Sequence, residues 1–338
     1  MRAVGYQQSL PIEAEASLVD VELPRPDPGP RDLLVEIKAV SVNPVDTKVR
    51  KRAAPEPGGY KVLGYDAAGI VRAVGAQVSL FKPGDEVFYA GAITRSGTNA
   101  EFHVVDERLV GAKPKNLSFE EAAALPLTTL TAWETLFDRL DIKRPVKGVA
   151  NAILIVGAGG GVGSIAVQLA RQLTDVTVIA TASRPETQDW ARELGAHHVI
   201  DHTKPLAAQV EALGLGAPAF VFSITHTDAH FAEIAKLIAP QGRFALIDDP
   251  KDPLDISLLK GKSVSIHWES MFTRSTFQTA DMERQHEILN EAARLVEAGT
   301  IRTTLADVLG PIDAATLKKA HAFIESNRAK GKIVLSGF

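Results

Sequence analysis

At 338 residues, with 45% hydrophobic and 23% charged residues and a formal net charge of −4, the chain is too long for one core. It also lacks the basic footprint of a nucleic-acid or anionic-membrane binder. Cysteine is absent, which excludes disulfides, a thiol nucleophile and thiolate-held zinc. No apolar run reaches the ~18 residues of a membrane span, and residues 1–6 lack a signal-peptide core, so a cytoplasmic location is expected.

Residues 1–111 read as short strands broken by glycine and proline. Residues 33–42 alternate in part, placing Val35, Ile37 and Ala39 on one face. Residues 62–74 form a further apolar run, and 85–90 follow the turn Lys82-Pro83-Gly84. Pro24, Pro26, Pro28 and Pro30 predict an extended segment, because proline neither donates to a ladder nor continues a helix. The pattern predicts a partly open antiparallel β-barrel.

From Ser118 the texture turns helical. Ser118 and Glu121 have the spacing of a capping box ahead of Ala122-Ala123-Ala124, and a second helix is expected over 128–140. Strict alternation follows. Strands are expected at 152–156, 176–181, 197–200, 219–223 and 243–247, with helices at 162–173, 186–194, 206–213 and 229–238 between them. That order predicts an α/β domain with a doubly wound parallel sheet. A strand at 263–268, helices at 281–298 and 315–329 and a strand at 332–335 complete the chain.

The strand Ile153-Leu154-Ile155-Val156 runs into Gly157-Ala158-Gly159-Gly160-Gly161-Val162-Gly163, and a helix opens behind it. Such a turn brings a pyrophosphate to backbone N–H groups at a helix N-terminus, where no Cβ intrudes. The spacing departs from the dinucleotide fingerprint, since its best register, Ala158-x-Gly160-x-x-Gly163, has alanine at the first glycine. The contribution of Ala158, Gly159, Gly160, Gly161, Val162 and Gly163 to a cofactor site rests on the strand–turn–helix context. Where an NAD enzyme carries an acid at the end of the next strand, this chain has Ser183 and Arg184. A hydroxyl followed by a guanidinium suits a 2′-phosphate, which favours NADP(H), although a solvated arginine at a helix start has the same sequence.

Taken together, Val42-Asn43-Pro44-Val45-Asp46, the run 62–71, Phe81-Lys82-Pro83-Gly84-Asp85-Glu86-Val87, the run 125–133, the glycine turn and Gly331-Lys332-Ile333-Val334-Leu335 resemble the medium-chain dehydrogenase/reductase superfamily. The similarity is to its zinc-free quinone-oxidoreductase branch, including proteins called zinc-type alcohol dehydrogenase-like. It implies a GroES-like substrate domain at 1–124 completed by 269–338, and a Rossmann NADP-binding domain at 125–268. Nicotinamide would lie at the base of a cleft between them. Zinc members hold their catalytic metal with two cysteines and the histidine of a Gly-His-Glu segment. This chain has Gly64-Tyr65-Asp66 there and Asn43 at the first cysteine position, so no metal is expected.

The same resemblance implies that Asn43 and Thr131 line the nicotinamide or diphosphate region and that His202 lies near the adenosine end. It makes Asn43 and Tyr65 the catalytic candidates. Tyr65 either donates a hydrogen bond or proton to an enolate oxygen or packs as an aromatic in the cleft wall. Phe272 and Trp268 either shape an apolar cleft or fill a core. The activity implied is NADPH-dependent reduction of a quinone or α,β-unsaturated carbonyl by a homodimer. The alternatives are a weakly catalytic NADPH-binding redox sensor or structural protein, and a zinc alcohol dehydrogenase. His226 and His230 are spaced to share a helix face, but two imidazoles fall short of a zinc site. Asp248-Asp249 suits a loop beside the cofactor better than a carboxylate dyad. No serine has the Gly-x-Ser-x-Gly context of a hydrolase elbow. The strand at 263–268 leaves an apolar sheet edge on which a second copy would pair.

Overall fold

The computed structural model describes residues 1–338 as two compact units, Met1–Leu130 with Phe272–Phe338, and Thr131–Met271. Both boundaries fall a few residues beyond the expected ones, the first of them inside the helix Pro126–Trp133.

In the first unit a seven-stranded sheet runs in the order Leu305–Val308, Lys332–Ser336, Asp32–Ser41, Ala67–Val74, Glu86–Tyr89, Val110–Ala112, and Phe102–Asp106 also pairs with Asp32–Ser41. The ten-residue strand Asp32–Ser41 organises it. One stretch of this strand, Asp32 to Glu36, faces Phe102–Asp106, and its last three residues face Val334–Ser336. Two register shifts against Ala67–Val74 bend it, as bulges do at barrel corners. A second sheet joins Val19–Glu22, Arg2–Tyr6 and Lys61–Val62. This is the GroES-like part of an α/β chain.

The apolar run 62–74 is not one strand. Val62 ends a strand paired with Gly5, Ala67 begins another paired with Val40, and Leu63-Gly64-Tyr65-Asp66 turns between two sheets. Gly64 takes φ 108°, and a Cβ there would lie 2.4 Å from Thr98 Oγ1, so only glycine fits this close approach. The helix Pro44–Arg52 was not anticipated, although it has proline in its first turn and Asp46 at N3, both helix-start signals. The strand Leu305–Val308 carried no such signal.

The second unit is the Rossmann part. Its six-stranded sheet has the order His198–Ile200, Thr177–Thr181, Ala150–Val156, Pro218–Ser223, Arg243–Leu246, Ser265–Trp268, and every pair is parallel. This is the doubly wound arrangement, whose strand order reverses beside Ala150–Val156, where such sheets bind ligands. Five of these strands are linked in succession by the helices Gly161–Leu173, Pro185–Glu193, Leu206–Ala212 and Thr227–Leu237, within a residue or two of expectation. The core under them gathers Leu154, Val156, Ile179, Val221, Phe231, Ile234 and Phe244. The expected helix 128–140 instead comprises the α-helix Pro126–Trp133 and a π-helical turn Glu134–Arg139. In that turn Leu140 N–H reaches Thr135 O at 2.9 Å. The capping box expected at Ser118 and Glu121 is present in both directions, at 2.8 and 3.1 Å. No helix is long and apolar enough to cross a membrane.

Candidate active site

The glycine turn owes its shape to three residues. Gly157, at φ 90°, sends the chain out of the strand, a conformation that costs an L side chain ~1–2 kcal/mol. Gly163 lets the helix sit on the turn, since a Cβ there would lie 2.5 Å from Ala158 Cα and from Gly157 O. Gly159 lies on Thr187, where a Cβ would come within 2.9 Å of Thr187 Cβ. Ala158 is buried and donates its N–H to Thr181 O at 3.1 Å, so it anchors the turn and its N–H is not available to a ligand. Gly160, by contrast, is open, its nearest neighbour being 3.9 Å from an added Cβ. The first i→i−4 bond of the helix is Ser164 N–H to Gly160 O at 2.9 Å. The N–H groups of Gly161, Val162 and Gly163 precede it and form the positive end of the helix dipole. These residues fit a diphosphate.

Ser183 and Arg184 lie in the turn just beyond the second strand, Thr177–Thr181. Arg184 caps the helix Pro185–Glu193 and pairs with Glu186 at 3.2 Å, with both side chains substantially exposed. The acid missing from the strand end therefore reappears just inside the helix. His202 Nδ1 lies 3.1 Å from Thr181 Oγ1, which accepts the Gly157 N–H at 3.0 Å. Thr131 is buried at the start of this unit, and its carbonyl accepts from Thr135 Oγ1 at 2.7 Å. Asp248 is engaged by the start of a helix. It accepts from Thr227 N–H at 2.9 Å and from the Thr227 hydroxyl at 2.5 Å, capping the helix Thr227–Leu237.

In the first unit the chemistry-bearing residues meet in a buried polar cluster. Asp66 Oδ2 accepts from Asn43 Nδ2 at 2.7 Å and lies 3.1 Å from Lys332 Nζ. Asp66 Oδ1 accepts from Leu127 N–H at 2.7 Å. Lys332 also donates to Val42 O at 3.0 Å and to Asn43 Oδ1. Asp46 holds the adjoining backbone, accepting from Asn43 N–H at 2.7 Å and from Gly64 N–H at 3.0 Å. Burial pushes the Asp46 carboxyl up to about 7. It also raises Asp66, which the Lys332 charge pulls back down, and lowers Lys332, which Asp66 pulls back up.

The Asn43 side chain donates from Nδ2 to Asp66 Oδ2 and, at 3.4 Å, to Ser41 O, and its Oδ1 accepts from Lys332, so it is tied to the Asp66–Lys332 pair. Tyr65 is 1% exposed and meets the Phe272 ring edge-on, with centroids 5.4 Å apart. Burial raises its phenol above the usual tyrosine range, helped by the Asp46 charge, so the hydroxyl stays protonated. Trp268 belongs to no core, being 59% exposed on the sheet-edge strand Ser265–Trp268. Lys332 and Asp46 were missed as site residues. A lysine opening an apolar strand and an acid at N3 were the available signals.

Residues 29–126 match the alcohol dehydrogenase GroES-like domain family, and residues 194–335 match the zinc-binding dehydrogenase family. The chain is 38% identical over 337 residues to a zinc-type alcohol dehydrogenase-like protein of Staphylococcus epidermidis, covering 99% of each. It is 67% identical to a putative zinc-dependent alcohol dehydrogenase protein from Rhizobium etli CFN 42, with TM-score 0.98 and coverage of 100% and 98%. It is 25% identical to Escherichia coli quinone oxidoreductase complexed with NADPH, with TM-score 0.81 and coverage of 99% and 100%. The zinc in three of those names does not fit the residues present. Asn43 is an amide already engaged, Tyr65 is a phenol held neutral, and Asp46 and Asp66 are satisfied by N–H groups and Lys332. No group of three or more metal-ligating side chains occurs, whereas a zinc site needs at least that many. With both domain families matched and a relative similar over almost the whole length, the chain belongs to the medium-chain dehydrogenase/reductase superfamily and is an oxidoreductase.

Proposed function

We propose that this oxidoreductase uses NADPH, without a metal, to reduce a quinone or an α,β-unsaturated carbonyl. The observation that carries this reading is the closed Asn43–Asp66–Lys332 network beside a protonated Tyr65. A metal would polarise the oxygen of a simple aldehyde as a Lewis acid, and this donor set does not fit such an ion. A conjugated acceptor delocalises the incoming charge onto its own oxygen, where one hydrogen-bond donor suffices.

When bound, NADPH supplies the hydride. The N–H groups of Gly161, Val162 and Gly163 hold the diphosphate, and Gly159 and Gly160 let it approach. Ser183 and Arg184 meet the 2′-phosphate, His202 flanks the adenosine end, and Thr131 lines the nicotinamide side. Tyr65 keeps its proton and donates it, or a hydrogen bond, to the acceptor oxygen. Asp46 and Asp66 fix the turn that carries it. The protein works in the cytoplasm as a homodimer paired through Ser265–Trp268.

The test is NADPH oxidation by the purified protein with quinones, enones and simple aldehydes, with and without a chelator. Turnover of the first two classes, unaffected by chelation, is expected. Turnover confined to simple aldehydes, lost to chelator and restored by zinc, overturns the reading. The near-complete burial of Tyr65 favours one second reading, an NADPH-binding protein with little catalysis. Tight NADPH binding with no turnover across the panel selects it.

A further inference from the structure

Three histidines collect around the glycine turn at the C-terminal edge of the parallel sheet. The helix dipole and Arg184 bring fixed positive charge to this end of the sheet, and the imidazoles add groups that can gain a proton. His202 Nδ1 lies 3.1 Å from Thr181 Oγ1, the oxygen that accepts Gly157 N–H. On the other flank, Thr225 packs so closely that a Cβ on Gly157 would lie 2.9 Å from Thr225 Cγ2. Thr225 Oγ1 in turn lies 2.8 Å from His226 Nδ1. His226 caps the helix Thr227–Leu237 in a left-handed conformation, φ 51°. One turn on, the His230 ring centroid lies 6.2 Å from that of His202. Two threonines therefore tether imidazoles to either side of Gly157, and a third imidazole faces the first. The loop with Thr225 and His226 leaves Pro218–Ser223, next to the point of reversal, where a phosphate-bearing ligand binds in such folds. The loop with His202 leaves the edge strand His198–Ile200 and reaches back to the turn through Thr181.

We propose that His202 and His230, with His226 beside them, form an anion site in which the facing pair His202 and His230 takes up a proton when the phosphates of a bound nucleotide arrive. The proposal rests on the dinucleotide reading above and adds to it a linkage between cofactor affinity and pH. Burial lowers His202 and His230, and the neighbouring imidazoles lower them further. Asp201 opposes this at His202, and Asp228 and Asp248 oppose it at His230. Those carboxylates are committed elsewhere. Asp201 takes Thr203 N–H and hydroxyl, Asp228 takes the N–H groups of Ala229 and Lys251, and Asp248 takes Thr227. An incoming phosphate is then the unshared anion, and it favours the imidazolium form. Protons bound with the ligand make affinity fall as pH rises, by up to about tenfold per pH unit for each proton taken up.

Calorimetric titration of the full chain with NADPH and with NADH, between pH 6 and 8 in two buffers of different ionisation enthalpy, tests this. The expected result is uptake approaching one proton with NADPH, an affinity that weakens toward pH 8, and both effects reduced in His230→Gln. That variant leaves the His202–Thr181–Gly157 tether intact; His202→Gln provides the second case. Uptake with NADH as well assigns the proton to the diphosphate, and uptake with NADPH alone assigns it to the 2′-phosphate. Nucleotide binding without proton uptake, or uptake unchanged in both variants, overturns the proposal. If neither nucleotide binds, the dinucleotide reading fails on its own. The histidine site is then decided by inorganic pyrophosphate, through the NMR titration of the His202 and His230 imidazole C–H signals. Upward-shifted titrations support the site and unshifted ones overturn it.

Discussion

Lys332 Nζ lies 3.1 Å from Asp66 Oδ2, with both side chains buried, and the two residues come from opposite ends of the sequence. The last strand of the chain thus neutralises a carboxylate placed by the turn after Val62. Removing one partner leaves the other charge buried and uncompensated, which costs about 3–5 kcal/mol. Lys332→Met is expected to lower the urea midpoint accordingly. Lys332→Met combined with Asp66→Asn is expected to cost less than the sum of the two single changes. Strict additivity in that cycle would show that the pair is not coupled.

Asp46 makes stability depend on pH. Its folded value of about 7 lies above its unfolded value of ~3.9. The folded state therefore holds the extra proton between those limits, and this contribution is lost as pH rises through about 7. Asp46→Asn removes the ionisation at the cost of one acceptor for the Asn43 or Gly64 N–H, about 1–3 kcal/mol. Relative to the parent, the variant should gain stability steadily from pH 4 to 7. A constant offset across that range, measured by urea melts, would refute the assignment.

The glycine turn separates folding from binding. Gly163→Ala forces a Cβ to within 2.5 Å of backbone atoms, so both thermal stability and dinucleotide affinity should fall. Gly160→Ala has an ordinary φ of −84° and no close neighbour. Its melting temperature should be nearly unchanged while NADPH affinity drops at least tenfold, because the methyl group occupies the path of the phosphate. An affinity unchanged in Gly160→Ala would move the diphosphate away from this turn.

Cofactor preference should follow Arg184. A charged hydrogen bond of roughly 1.5–3 kcal/mol corresponds to ~10- to 150-fold. Solvent exposure and the Glu186 pairing place the NADPH preference at the low end. Arg184→Ala should raise the KM for NADPH and leave NADH kinetics alone. Glu186→Gln should sharpen the preference by no more than a few-fold, since exposed pairs are weak. Equal kinetics with both cofactors in the parent protein would sink this assignment.

The sheet edge predicts assembly. Trp268 and Ile256 are 59% and 61% exposed, and with Phe231, Phe244, Leu246 and Ile266 they line a groove of about 460 Å³. Light scattering should give about twice the 36.2 kDa of one chain, and Trp268→Lys should shift it toward the monomer. A parent protein that is monomeric at micromolar concentration refutes pairing through this strand.

The sequence alone determined the features whose physics is local. Ser118 and Glu121 cap a helix because they stand three residues apart. The glycine turn lies between a strand and a helix whose periodicities are legible, and counting on from it places Ser183 and Arg184 just past the next strand. Tertiary structure decided the rest. The run 62–74 has the apolar content of one strand, yet two different sheets claim its ends, and the resulting break at Gly64 is what places Tyr65 and Asp66. Asn43 is an ordinary polar residue in the sequence; only the arrival of Lys332 from the final strand consumes its amide. Glu186 follows Pro185 without signalling a contact, and only the helix start turns it back to Arg184. Periodicity and capping report interactions among near neighbours in the chain. Charge compensation in a buried site depends on which distant segments the sheets bring together, and no local pattern encodes that.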